Sequence, residues 1–272
     1  MGTVLSANRL LNGAVTSDED GKIVCPVCAG PCAPLGAVDF NTSCEDAGGK
    51  QFEPAGIAVH YVQCGECGFS FAPEFSTWSP EDFGQKIYNH DYGLVDPDHA
   101  AARPAANAAV LRDMFAPTAG AFRHLDYGGG NGHLARCLRD AGWNSASYDP
   151  FFDRQLNAQT LGQFDLITAY EVFEHVPDVQ LLMADLHALL APGGLVLFST
   201  LLSDGQLDTT APISWWYAAP RNGHISLFSR RSLTMLAAAS GLKFDSFSDG
   251  MHIFFTQVPA WAAHLVAPAP GA

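Results

Sequence analysis

The stretch His124-Leu-Asp-Tyr-Gly-Gly-Gly-Asn-Gly-His133 constrains this chain more than any other. Phe122 to Tyr127 reads as a short strand running into four glycines within five residues. Leu134, Cys137, Leu138 and Ala141 then recur at helical spacing up to Gly142, which predicts a helix with Cys137 on its buried face. Glycine suits a strand-to-helix turn that lets backbone amides approach a ligand, where a Cβ has no room and φ can turn positive. The dinucleotide fingerprint G-x-G-x-x-G does not fit, because His133 stands three residues after Gly130. An acid-x-Gly-x-Gly-x-Gly pattern does, with Asp126, Gly128, Gly130 and Gly132.

The following segments continue the alternation. Ser145 to Tyr148 forms a second strand ending at Asp149, Phe164 to His175 a strand and turn, and Leu190 to Phe198 a Pro-Gly-Gly turn and strand. Ser229 to Ser240 reads as a capped helix closed by Gly241. Leu242 to Phe247 and Ile253 to Val258 are two strands split by Asp249-Gly250. That order predicts an α/β fold with a doubly wound, mostly parallel sheet ending in an antiparallel hairpin. Only 14 residues separate Asp149 from Phe164, so a further strand there is expected to be short or missing. Together these motifs resemble those of class I S-adenosylmethionine-dependent methyltransferases, a Rossmann-like fold. The resemblance implies that Asp126, Gly128, Gly130 and Gly132 hold the cofactor, that Asp149 takes the ribose hydroxyls, and that Glu171 and Phe173 lie against it.

Near the N-terminus, Cys25-Pro-Val-Cys28 and Cys64-Gly-Glu-Cys67 are two CxxC knuckles, the spacing of a zinc ribbon holding one structural zinc per chain. Four thiolates leave no open coordination position, so this metal stabilises and does not catalyse. Disulfides or a redox pair are the rival reading; Cys32 and Cys44 are spare thiols. Val59, Tyr61, Val62, Phe69 and Phe71 alternate as a hairpin does. Ser79-Pro-Glu-Asp82 has the parts of a helix start, with the helix running through Ile87 and Tyr88, and Arg103 to Phe115 reads as a second helix. The expected division is a loose segment over 1–20, a zinc ribbon over 21–75, a helical linker or cover over 76–120, the cofactor-binding domain over 121–258 and a tail over 259–272. Met1 to Ser6 fits a loose myristoylation pattern without a second anchor.

Charge bears on the acceptor. Fourteen basic residues against 28 acidic ones give a net charge of -14, which argues against a nucleic-acid polymer, whose binding depends on Lys and Arg displacing counterions. A small-molecule acceptor fits better. The apolar stretches fall short of a membrane span and no secretion signal is read, so a cytoplasmic protein without a membrane partner is expected. The segments Trp78 to Tyr92 and Trp216 to His224 are similar to stretches of a methyltransferase subset carrying an N-terminal zinc ribbon. The expected catalytic groups are His224, His175 and Tyr217. The expected substrate contacts are Tyr88, His90, Tyr92, Trp215, Trp216 and Arg221, rings with a few polar groups suiting an organic ligand. The leading reading is methyl transfer to a hydroxyl of a saccharide or secondary metabolite. RNA base methylation with the ribbon as reader, and a non-catalytic zinc-ribbon scaffold, are the alternatives. No oligomeric state and no adenine contact follow from the sequence.

Overall fold

The computed structural model describes residues 22–265 apart from 119, 154, 155 and 157. The expected loose N-terminus over 1–20, the Met1 to Ser6 pattern and the last half of the 259–272 tail lie outside the described residues. In chain order the elements are β1 (Cys32–Asp39), β2 (Ala58–Cys64), β3 (Ser70–Phe71), α1 (Pro80–Lys86), α2 (Tyr92–Val95), α3 (Ala102–Met114), β4 (Arg123–Tyr127), α4 (His133–Asp140), β5 (Asn144–Tyr148), β6 (Phe164–Ala169), α5 (Val179–Leu189), β7 (Leu190–Ser199), β8 (Ser226–Leu227), α6 (Arg230–Ala239), β9 (Lys243–Ser246) and β10 (Met251–Phe255).

Two compact units share this chain: residues 98–172, 183–200 and 237–272 form one, and residues 1–97, 173–182 and 201–236 the other. The first, the sheet unit, is built on a six-stranded sheet in the order β5-β4-β6-β7-β10-β9. The first four strands are parallel, and β10 is antiparallel to both β7 and β9. Strands flanked on both sides are buried on both faces, which is why Leu125, Leu166, Ile167, Val196 and Phe198 read as apolar runs. Phe115, Phe122, Trp143 and Trp261 close one aromatic cluster. As the short spacing predicted, no strand lies between β5 and β6 among the described residues; Ala158–Leu161 is a 3-10 turn and β5 is a sheet edge. Helix α4 buries Leu134, Ala135 and Leu138, while Cys137 is half-buried and Ala141 exposed, so its buried face is rotated slightly from the expected one.

The second, the ribbon unit, corrects the expected division. Its four-stranded antiparallel sheet runs β1-β2-β3-β8, and its last strand comes from Ser226–Leu227, far outside 21–75. The Ser229 hydroxyl donates to the carbonyl of Cys67, and Gln180 Nε2 to that of Pro26 at 2.7 Å, so late segments of the chain hold both knuckles. The ribbon is therefore part of a larger unit rather than an appended module. The 76–120 segment is also divided: α1 and α2 belong here, and α3 to the sheet unit. Helix α1 starts as predicted, with Ser79 Oγ accepting from the Asp82 amide at 3.1 Å and Asp82 accepting from the Ser79 amide at 3.0 Å. It ends at Lys86, leaving Ile87 and Tyr88 beyond it.

Candidate functional site

In the sheet unit, β4 has β5 on one side and β6 on the other. The order of successive strands reverses there, and ligands of such sheets sit at the carboxyl ends of the strands. Gly128, Gly130 and Gly132 all have positive φ, at 71°, 54° and 72°. A Cβ on Gly128 would collide with Val172, and one on Gly129 with Ser147 and Asp126. Nothing stands within 4 Å of where a Gly130 Cβ would be, so the outer side of the turn is open. Asp149, at the end of β5, accepts from the Gly130 amide at 2.8 Å through one oxygen, and from the Phe151 and Phe152 amides at 2.7 and 3.2 Å through the other. Three of a carboxylate's roughly four acceptor positions are thus taken, and a ligand hydroxyl would use the rest or compete with Gly130.

Behind the turn runs a buried polar chain. His124 meets Ser145 Oγ at 2.8 Å and Thr168 Oγ1 at 2.9 Å, and Thr168 donates to Asp126 Oδ1 at 3.2 Å. Burial pushes the Asp126 carboxyl up to about 7, with the Asp149 charge adding and the Thr168 hydrogen bond opposing. Burial likewise lowers His124 to about 3. The buried hydroxyl of Tyr170, the residue after β6, has no hydrogen-bond partner among the described residues. Its neighbour Glu171 holds φ at 55°, uncommon for a residue with a side chain, and its amide donates to Ser199 Oγ at 2.9 Å while that hydroxyl donates back to Glu171 Oε1 at 3.1 Å. Arg103 lies 3.8 Å from the other carboxylate oxygen.

Phe173, expected against the cofactor, has its ring fully buried in the ribbon unit, 5.8 Å from that of Phe228.

The ribbon unit brings together most of the residues expected to be catalytic or to contact substrate. His175 Nδ1 is 3.1 Å from Tyr88 Oη, and the His175 and His224 rings are 4.9 Å apart. His224 Nδ1 lies 3.0 Å from the Tyr217 carbonyl, which can only accept, so this nitrogen carries the proton and Nε2 the lone pair. The Tyr217 ring is 4.2 Å from that of His224 and 5.2 Å from that of Trp215. Tyr92 packs 5.1 Å from Tyr88 and donates to the Asn222 carbonyl. Gly223, at φ 93°, is required: a Cβ there would come within 2.8 Å of Tyr88 Oη and 3.0 Å of His175 Nδ1. The expected loop from Trp215 to His224 is in fact a mostly buried strut.

Two of these residues are placed otherwise. Arg221 spends its guanidinium on the Ile87 carbonyl at 2.9 Å and on Asn89 Oδ1 at 3.4 Å, so it braces the turn after α1 rather than standing ready for a substrate acid. His90 is apart from the cluster, its side chain 88% exposed beside Asp91. Trp216 is 43% exposed at the cluster's margin. Three residues had no assigned role from the sequence: Glu174, fully buried with Oε1 3.8 Å from His175 Nε2; Tyr61, which donates to the His224 carbonyl at 2.6 Å; and Cys44, 3.6 Å from His224 Nδ1. An acid directly preceding His175 was the one signal available for Glu174.

The four knuckle cysteines converge as expected, their sulfurs all within 4.8 Å of one another. The pairs Cys25–Cys67 and Cys28–Cys64 are each 3.5 Å apart. That excludes a disulfide at about 2.05 Å and fits the edge of a tetrahedron with metal–sulfur bonds of about 2.3 Å. Hydrogen bonds from Cys32 and then Cys67 hold the Cys25 thiol well below the usual range.

No described helix is long and apolar enough to cross a membrane. Among curated proteins, the chain is 32% identical to the ubiquinone biosynthesis O-methyltransferase of Methylococcus capsulatus over 43% of this chain and 60% of that protein. It is 30% identical to the Ralstonia nicotianae protein of the same name over 47% and 65%. The chain thus spans under two thirds of these relatives' length. Among solved structures, Burkholderia thailandensis 1,6-didemethyltoxoflavin-N1-methyltransferase is similar at 21% identity and a TM-score of 0.46, over 75% of this chain and 96% of that one. The glycine turn and the strand ends around it fall inside residues 98–246, more than half of the chain, which match the family described as a methyltransferase domain, and the chain belongs to that family.

Proposed function

We propose that this protein transfers a methyl group from S-adenosylmethionine to a hydroxyl oxygen of a small organic acceptor, a saccharide or secondary metabolite, and carries one structural zinc on Cys25, Cys28, Cys64 and Cys67. The observation that carries the reading is the open glycine turn fastened to Asp149, inside the segment that matches the methyltransferase family. The residues fit the donor: Gly128, Gly130 and Gly132 give backbone access, Asp149 keeps acceptor capacity for a ribose hydroxyl, and the Tyr170 hydroxyl and Asp126 carboxyl are buried polar groups suited to a cationic, hydrogen-bonding ligand. Glu171, held by Ser199, completes that set.

S-adenosylmethionine supplies the activated methyl group. With that donor held at Gly128, Gly130, Gly132 and Asp149, the acceptor oxygen would take the methyl group, the electron pair of the S–C bond staying on sulfur. The protein's part is to align the acceptor, exclude bulk water and assist loss of the hydroxyl proton. We propose that Tyr88, Tyr92, Trp215 and Trp216 give the acceptor its apolar contacts and that His175, His224 and Tyr217, with Glu174, assist loss of its proton. The printed names of the curated relatives, O-methyltransferases, favour oxygen as the acceptor atom. Net charge argues against a nucleic-acid acceptor.

The test incubates the protein with methyl-labelled donor and a panel of hydroxylated small molecules, amines and RNA. Label in a hydroxyl compound is expected. Label only in RNA, or none together with failure to bind S-adenosylhomocysteine by calorimetry, would overturn the reading.

A further inference from the structure

We propose that Glu174, His175 and His224 form a second metal site, distinct from the four cysteines and open to a ligand. Their ligating atoms lie within 4.8 Å of one another, and all three belong to the ribbon unit. One carboxylate and two imidazoles on a divalent cation, at bonds of about 2.0–2.2 Å, have donors roughly 3–4 Å apart. Small side-chain shifts close the set to that spacing.

Three observations point to a cation rather than to one histidine acting as a base. Glu174 is fully buried, and a carboxylate is kept ionised in such a place by pairing, hydrogen bonding or a metal. Both imidazoles have Nδ1 engaged: His224 donates Nδ1–H to the Tyr217 carbonyl at 3.0 Å, and His175 meets Tyr88 Oη through Nδ1 at 3.1 Å. Metal-ligating histidines are commonly fixed in this way, with the remaining nitrogen facing the ion. His175 Nε2 is indeed the atom turned to Glu174, at 3.8 Å. Finally, the backbone is shaped for the approach. Glu174 and His175 occupy one 3-10 turn (Phe173–His175), the Ile225 amide donates to the Glu174 carbonyl at 2.8 Å, and left-handed Gly223 lets the His224 strut pass close to Tyr88 and His175. A single general base does not need the second imidazole.

Nitrogen and oxygen donors without thiolate select borderline divalent ions such as zinc, iron(II), manganese or cobalt, and three protein ligands leave positions for an exogenous oxygen. Cys44 lies beside Nδ1 of His224, the nitrogen already committed to Tyr217, and is outside the set. The role of the ion rests on the methyl-transfer reading: it would bind the acceptor hydroxyl, lower its pKa and release its proton to water, leaving an alkoxide for the methyl carbon.

Cobalt(II) reads the two sites separately, because thiolate ligands give intense charge-transfer absorption and a His-His-Glu site only weak ligand-field bands. The full-length wild type, stripped and titrated, is expected to take two equivalents, one of each kind. Glu174→Gln and His224→Gln are expected to lose the weak-band equivalent and keep the thiolate one, which also reports that the ribbon unit is folded. A wild type that takes only the thiolate equivalent overturns the proposal whatever the variants do, and so do variants that still take both. If the second ion binds but its removal leaves methyl transfer unchanged, the site stands and its assigned role is overturned.

Discussion

The two units build their polar centres by opposite means. In the sheet unit the centre is made of backbone: a run of glycines, the ends of three adjacent strands, and carboxylates fastened to amides. In the ribbon unit it is made of side chains drawn from distant stretches, with Tyr61, Tyr88, His175, Tyr217 and His224 meeting only because a four-stranded sheet borrows its last strand from Ser226–Leu227. A centre made of backbone is specified locally and tolerates change in its surroundings. A gathered one depends on everything that holds its segments in register.

Loss of the knuckle metal probes that dependence hardest. Structural zinc in small four-ligand sites contributes about 10–16 kcal/mol of binding free energy to folding. Cys64→Ser is therefore expected to lose the thiolate-bound metal and, with the ribbon unit's cooperative melting, the second equivalent too, while calorimetry still detects S-adenosylhomocysteine binding. Unchanged metal content would remove the zinc assignment.

Next comes the pH dependence of the sheet unit. Asp126 moves from an ordinary 3.8 up to about 7 on burial, so the stability it contributes is complete below about 4 and is lost as pH rises through 7. His124 works the other way: moved from 6.5 to about 3, its contribution is complete above about 6.5 and is lost as pH falls through 3. Asp126→Asn should raise stability at pH 8 by a few kcal/mol relative to wild type and change little at pH 4. Urea unfolding at both pH values checks this, and parallel slopes for the two proteins would refute it.

Asp149→Ala should weaken S-adenosylhomocysteine binding by about 10- to 150-fold, the range for losing a charged hydrogen bond worth about 1.5–3 kcal/mol. Equal affinity would show that the ribose is held elsewhere. His90→Ala, on the exposed side of the contrast, should alter neither stability nor methyl transfer, within about 0.5 kcal/mol. A large drop in acceptor affinity would return His90 to the site.

The same contrast explains what the sequence made legible. Asp126 to Gly132 is a contiguous motif, Asp149 closes the next strand, and the shortness of the segment before Phe164 points to a short or missing strand, none being present among the described residues. The link from Thr168 to Asp126 was hidden because it arises from parallel register, Asp126 facing Thr168 across β4 and β6. A two-residue strand at Ser226–Leu227 has no periodicity to detect, so the ribbon seemed to end near residue 75. Phe173 was assigned to the cofactor from its place after β6, but the chain leaves the sheet unit at that residue. Arg221 looked like a clamp for a substrate acid because sequence shows a charge and not the Ile87 carbonyl that engages it.

Glu171 carries a consequence for engineering this protein. A residue with a Cβ held at φ 55° costs the fold on the order of 1 kcal/mol that glycine would not, so glycine or asparagine there would be favoured by any selection for thermostability alone. Such a selection would delete the carboxylate that Ser199 and Arg103 surround. On the role proposed for Glu171 at the donor, stability and activity are set against each other at this single backbone position, and stabilised variants should be sought with Glu171 held fixed.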